Sequence, residues 1–327
     1  MSVCPASDDV YSAARVRVER LIGEQGPVLA EIARAVLGRE RRLLSPKPAT
    51  LWPIVVTRAC ASAGGDWRHA LWPAVGVEVA MAAADLFDDL ADGEAIDLLD
   101  RFGPGTLLTA AVGLLTVGFS AVLCGEEEGC SSALCSRLGR LLGDGIALAV
   151  DGQIRSLRGR GQVTDATEAY EIAARKSGPL GELACRIGAM IGTTDPSLLD
   201  LYGRFGWHLA VAGQLANDAA DVLPGPRTGK RDVRDGCPTV PLVYARSTGA
   251  PPGLDDRSLT AWEEAERQRI VALGGVLAAE TLAIAERLRA EEALAALEAA
   301  GRDTAGLREL LAIARPVDAR ETGPDER

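Results

Sequence analysis

Apolar residues recur at helical spacing through almost the whole of this 327-residue chain, over 11–37, 51–63, 67–90, 107–123, 131–157, 164–191 and 196–222. Turn formers separate these stretches: Gly64-Gly65-Asp66, Gly103-Pro104-Gly105, Gly159-Arg160-Gly161 and Thr193-Thr194-Asp195-Pro196. In the last of these, Asp195 is a good N-cap and Pro196 suits the first helical turn. Composition points the same way, with 47% hydrophobic residues but only 4% aromatics, and Ala and Leu abundant. A polar loop is expected over 224–241, carrying Arg227, Lys230 and Arg231, followed by one or two amphipathic helices over 261–300. No internal repeat and no dividing linker is visible. The expectation is therefore all-α, one helical domain over 1–319, with a disordered tail at 320–327.

Residues 105–124 contain no charge, which is long enough to cross a bilayer. Thr106, Thr109, Thr116 and Ser120 dilute the stretch, and no Lys/Arg-rich flank follows it, so a central helix wrapped by others is expected and no integral membrane segment. The net charge of −11 argues against nucleic acid as a partner. Seven scattered cysteines without a Cys-x-x-Cys pair, and two histidines, argue against zinc. The first residues carry no basic or apolar leader, so the expected location is cytoplasmic, with reduced thiols.

Against this apolar background two acidic clusters stand out. Asp88, Asp89 and Asp92 follow the Ala-rich run 79–84, and Asp85 lies one turn earlier. Asn217, Asp218 and Asp221 close the run 196–222 with the same i, i+1, i+4 spacing. Carboxylates crowded at the end of a buried helix repel one another and lose hydration, so a cation should compensate them. Oxygen donors of this kind suit a hard divalent ion, especially one that also takes phosphate oxygens. Two such clusters can hold metal ions between them across a helical bundle.

The order of these features resembles the trans-isoprenyl diphosphate synthase superfamily, the polyprenyl synthetases. Residues 84–92, with Glu78 upstream, resemble its first aspartate-rich motif. The stretch from Glu168 through Arg175-Lys176-Ser177-Gly178-Pro179 is similar to its lysine-threonine-glycine segment, and Gly152-Gln153 to its Gly-Gln pair. Phe205-Gly206, Gln214, Asn217 to Asp221, Gly229-Lys230, Asp232 and Pro238-Thr239-Val240-Pro241 follow its second motif and the loop after it.

The resemblance implies an isoprenoid synthase-type helical bundle around a central cavity, usually a homodimer. It also implies three Mg²⁺ ions around the diphosphate of an allylic prenyl substrate. Carried over by position, Asp88, Asp89, Asp92, Asn217, Asp218 and Asp221 would be metal ligands. Lys176, Gln214, Lys230, Arg227 and Arg231 would meet the substrate, with Asp88, Asp92, Asp218 and Lys176 carrying the ionisation step.

The chain departs from the family where elongating members grip isopentenyl diphosphate. In place of a basic Gly-Lys-Arg-x-Arg-Pro segment it reads Pro48-Ala49-Thr50-Leu51-Trp52-Pro53, with Lys47 the nearby cation. The Arg pair after the first motif is missing, leaving Arg101 in an uncertain register, and Cys237 stands where Lys is usual. Ionisation machinery without a second diphosphate site suggests a terpene synthase acting on farnesyl or geranylgeranyl diphosphate. The alternatives are a prenyltransferase, elongating or acting on another acceptor, and a non-catalytic subunit of a heterodimer. His208 is read as a hydrogen-bonded packing residue, and Ala80, Met81, Ala83 and Ala84 as small residues that either line a long pocket or pack in an Ala-rich core.

Overall fold

The computed structural model describes residues 4–223, 231–249 and 258–312. Every regular element among them is helical. In chain order these are α1 (Ser7–Gly23), α2 (Pro27–Leu37), α3 (Trp52–Ser62), α4 (Leu71–Asp92), α5 (Ile96–Phe102), α6 (Pro104–Leu123) and α7 (Ser132–Gly159). They continue as α8 (Ala166–Gly192), α9 (Pro196–Val222), α10 (Asp232–Asp235), α11 (Val240–Thr248), α12 (Leu259–Ala272), α13 (Gly275–Ala299) and α14 (Ala305–Arg308). The expected helix over 11–37 is broken between α1 and α2, where Gly26 and Pro27 start a new helix. The expected tail at 320–327 lies outside the described residues, as do Arg227 and Lys230.

Contacts gather the chain into two compact units, each discontinuous in sequence. One draws on 4–145, 182–203 and 294–308; the other on 146–181, 204–293 and 309–312. The divisions fall inside α7, α8, α9 and α13 rather than in linkers.

In the first unit, α4 is buried without interruption from Leu71 to Ala83. Small residues make this possible. A Cβ on Gly76 would lie 2.7 Å from the Gly118 carbonyl oxygen, and one on Gly118 would lie 2.9 Å from that of Gly76, so the paired glycines let α4 and α6 touch backbone to backbone. Around this pair pack Leu21, Ile22, Val36, Leu37, Val75, Val79, Leu86, Leu107 and Leu114. Ala83 is part of the same core, with no exposed surface. Trp72 is also core, 2% exposed beneath the guanidinium groups of Arg17 and Arg20.

Helix α6 differs from the expected fully wrapped helix. Leu107, Ala111, Leu114, Val117 and Ala121 are buried, but Leu108, Val112 and Leu123 are each more than half exposed. Two helical stretches are long and apolar enough to cross a membrane, 67–92 and 104–128; the first is largely buried within the fold, the second under half buried.

In the second unit the core is Val211, Leu215, Ala219 and Val222 of α9 against Ala169, Ile172 and Ala173 of α8, with Val243, Ile270, Ala279 and Ala283 closing it. Close helix approach again depends on glycine. A Cβ on Gly181 would lie 2.1 Å from the Gly206 carbonyl oxygen, and one on Gly178 would meet the Trp207 ring at 2.6 Å. Buried Glu286 accepts hydrogen bonds from Tyr170 (2.8 Å), pairs with Arg289 and lies 2.7 Å from His208 Nδ1. His208 thus helps join α9 to α13.

Candidate active site

The first acidic cluster occupies the last two turns of α4, which ends on Gly93 in the left-handed region (φ 68°). Carboxylates at a helix C-terminus face the negative end of the macrodipole, so this placement needs outside positive charge. Part of it comes from the segment between α2 and α3. Arg39 pairs with Asp89, and Arg42 pairs with Asp85 while lying 3.9 Å from Glu78. Asp85 and Asp89 are therefore the arginine-facing pair, whereas Asp88 and Asp92 share the adjacent helical face.

That segment is fixed from below. Glu78, 0% exposed in mid-α4, accepts from the Thr50 hydroxyl, and burial raises its pKa against the pull of Arg42, Thr50 and the Leu43 amide. Tyr11 donates to the Thr50 carbonyl at 2.8 Å, and Arg15 to that of Leu43 at 2.8 Å. Reading 47–53 alone missed Arg39 and Arg42; the signal was the run Arg39-Glu40-Arg41-Arg42 directly after α2, opposite an acidic helix end.

The second cluster is built in the other unit by α7, α8 and α9. A Cβ on Gly152 would lie 2.4 Å from the Lys176 amide nitrogen and 2.5 Å from the Arg175 carbonyl carbon, so glycine lets α7 rest on α8 at the lysine. Pro179 lies three residues beyond Lys176 and cannot donate to the Arg175 carbonyl four residues back, which loosens the helix at that point. Ser177 donates to Gln214 Oε1 at 2.8 Å, and Gln214 Nε2 donates to Asp218 Oδ1 at 2.7 Å, a chain linking α8 to the acidic end of α9. Asn217 Nδ2 lies 3.4 Å from Asp221 Oδ2. Asp218 and Asp221 are each 5% exposed, while Asn217 faces outward.

The Asp218 carboxyl is strongly perturbed. Burial pushes its pKa up from 3.8 to about 7; the Gln214 hydrogen bond opposes this, Asp232 adds to it, Lys176 opposes and Asp221 adds. An all-oxygen donor set of this kind fits Mg²⁺. Among the described residues no three His, Cys, Asp or Glu side chains form a complete metal cluster. Arg231 lies 3.3 Å from Asp235, one turn on in its own helix, and the Cys237 side chain is buried.

A sequence model of the polyprenyl synthetase family matches residues 116–268, a stretch that contains Lys176, Gln214 and the second acidic cluster. The geranylgeranyl pyrophosphate synthetase of the archaeon Geoglobus acetivorans superposes with a TM-score of 0.78 at 19% identity, over 94% of this chain and 97% of that one. The matched stretch thus resembles the polyprenyl synthetase family, and the chain as a whole shares the fold of the archaeal synthetase. Among curated relatives, the nonaprenyl diphosphate synthase of Mycobacterium tuberculosis (strain ATCC 25618 / H37Rv) is 32% identical over 40% of this chain and 42% of its own length. The tryptophan prenyltransferase ComQ of Bacillus spizizenii is 26% identical over 53% of this chain and 59% of its own. The chain therefore spans about half the length of the curated relatives it matches.

The helical structure and its superposition confirm the all-α bundle expected from the sequence. The comparisons also correct the reading as a terpene synthase, a lyase, because the relatives matched are named as a prenyl diphosphate synthase and a prenyltransferase. The absence of cations from 47–53 does not by itself fix the reaction; positive charge reaches α4 instead from Arg39 and Arg42, eight to eleven residues earlier than Thr50, which pair with Asp89 and Asp85.

Proposed function

We propose that this chain is a prenyltransferase that joins an allylic prenyl diphosphate to isopentenyl diphosphate. In that reaction the allylic C–O bond breaks and pyrophosphate leaves with the electron pair. The acceptor alkene bonds to the allylic carbon and loses a proton. The observation that carries the reading is the Lys176, Ser177, Gln214 and Asp218 assembly, a cation and a hydrogen-bond chain beside a carboxylate whose pKa burial raises. Lys176 would hold diphosphate oxygens as a compact charge, and Gln214 would keep Asp218 oriented. Lys230 and Arg227 lie outside the described residues and, with Arg231, join the substrate side by their place after the second motif.

Magnesium, three ions with substrate bound, would be held by Asp88, Asp89 and Asp92 and by Asn217, Asp218 and Asp221. When bound it supplies the charge that stabilises departing pyrophosphate. Asp89 would first have to exchange Arg39 for metal. A second copy of the chain is the proposed partner, supported by the uncharged α6 face bearing Leu108, Val112 and Leu123.

A second reading, transfer to an acceptor without a diphosphate, is favoured by one observation. Thr50, in the segment where relatives place cations for the acceptor, spends its hydroxyl on buried Glu78. Incubation with Mg²⁺ and geranyl, farnesyl or geranylgeranyl diphosphate, with and without isopentenyl diphosphate, separates the two. Longer diphosphates formed only with isopentenyl diphosphate support elongation. Pyrophosphate release that ignores isopentenyl diphosphate and instead follows an added indole or peptide acceptor supports the second. Hydrocarbon formed without any acceptor would refute both.

A further inference from the structure

Helix α12 carries two arginines that perform the same local task on two different neighbours. Arg267, 14% exposed, donates through Nη1 to the backbone carbonyl of Asp221, next to last in α9, and through Nη2 to Glu263 at 2.9 Å. Arg269 donates to the carbonyls of Ala245 (3.3 Å) and Gly249 (2.9 Å) at the end of α11, and is held in turn by buried Glu266 at 2.7 Å. The last carbonyls of a helix have no partner within it and carry its negative partial charge, so a guanidinium there both satisfies and neutralises them. At α11 such a cap secures packing. At α9 it grips the backbone of a residue whose side chain, with that of Asp218, belongs to the second acidic cluster.

We propose that Arg267 is a positioning residue for metal binding: it fixes the last turn of α9 and so the direction in which Asp218 and Asp221 present their carboxylates. The inference rests on the assignment of those carboxylates to Mg²⁺. Glu263, one turn earlier on α12, holds the Arg267 fork in place, so the guanidinium is already oriented when it meets α9. None of the motifs read from the sequence marks this arginine, because it acts on a backbone carbonyl. Supporting groups of this kind typically govern metal affinity by about 10- to 100-fold.

Arg269 supplies the control, since removing it costs a helix cap without touching the acidic cluster. Mn²⁺ binding in the presence of inorganic pyrophosphate is measured by electron paramagnetic resonance for the wild type, Arg267→Ala, Arg267→Lys and Arg269→Ala. Amide hydrogen exchange of the peptide spanning 215–223 is followed in metal-free protein. Arg267→Ala is expected to weaken Mn²⁺ binding about tenfold and to speed exchange at the end of α9, with Arg267→Lys recovering most of both. Arg269→Ala is expected to bind Mn²⁺ within about twofold of the wild type. Unchanged exchange in Arg267→Ala overturns the positioning role whatever the metal does. Equal weakening by the two alanine variants overturns it as well, by reducing it to general stability. Exchange that speeds while the wild type itself binds no Mn²⁺ overturns the metal assignment, and the positioning role with it.

Discussion

Replacing Asp218 with Asn should stabilise the metal-free protein by an amount that grows from about pH 4 and levels off near pH 7. In the folded chain burial raises this carboxyl from 3.8 to about 7, so between about pH 4 and pH 7 the native state holds a proton that the unfolded state has released. Each increment of pH in that window favours unfolding. The contribution is fully present below the ordinary carboxyl pKa, is lost as pH rises to about 7, and is flat beyond. At about 1.36 kcal/mol per pH unit, the rise from 3.8 to about 7 amounts to about 4 kcal/mol. With Asp218 only 5% exposed, solvent screening reduces this little. Asn is neutral throughout and keeps an oxygen to accept from Gln214 Nε2.

Urea unfolding in chelator at pH 5 and pH 8 reads the effect. The difference between the two proteins isolates residue 218 from every other titrating group. An advantage for Asp218→Asn of about 1–2 kcal/mol at pH 5, growing to about 4 kcal/mol at pH 8, is the expected pattern. Mg²⁺ with inorganic pyrophosphate should reverse the order at pH 8, because the ionised carboxylate then has a cation to bind and ligation stabilises only the wild type substantially. A pH-independent difference between the two proteins in chelator would refute the reasoning, since it would mean that Asp218 is ionised and compensated without metal.

Gly152→Ala inserts a Cβ 2.4 Å from the Lys176 amide nitrogen, so α7 and α8 must separate; a loss of about 1–3 kcal/mol in thermal unfolding should accompany at least a tenfold drop in pyrophosphate release, and wild-type release would detach Gly152 from the site. Arg42→Met leaves buried Glu78 without its guanidinium neighbour and should cost about 3 kcal/mol in urea unfolding, most of it regained by adding Glu78→Gln; no recovery would mean that Arg42 acts through packing alone. Val112→Asp places a charge on the exposed face of α6 and should shift sedimentation from dimer to monomer with the fold intact, whereas an unchanged sedimentation coefficient would exclude that face as the contact.

Much of the architecture was legible because helical periodicity and turn chemistry are local. The break after Gly64-Gly65, the start of α9 at Pro196 and both acidic helix ends follow from neighbours in sequence. The division of α1 from α2 was weaker, since apolar spacing continues across it and only Gly26-Pro27 marks it. For α6 the absence of charge suggested complete burial. Charge alone does not distinguish burial inside the fold from an apolar face left open, and Leu108 and Val112 fall on the open face. The second acidic cluster was legible as a motif, but its surroundings were not. Backbone approach at Gly152, the cap from Arg267 and the like-charge influence of Asp232 all depend on which helices meet, and no spacing along one helix encodes that.

The segment after α2 shows why reading 47–53 alone missed the charge facing α4. Electrostatic compensation is a sum over space, and a segment that turns back on itself delivers charge from positions that no motif register includes. Arg41 adopts the left-handed region (φ 67°), uncommon for a side chain larger than glycine, and its carbonyl accepts from the Ala49 amide at 2.9 Å. That reversal brings Arg39 and Arg42 to Asp89 and Asp85 while Thr50 reaches Glu78. Among the described residues these two arginines pair with Asp89 and Asp85, and Arg42 also lies 3.9 Å from buried Glu78. A cation that binds Asp88 and Asp92 would then weaken the hold of Arg39 and Arg42 on the neighbouring acids, by competition for the same negative field. Under the proposed metal assignment, charge on this wall of α4 would be coupled to metal loading, so the proposed acceptor should be assayed with the metal present.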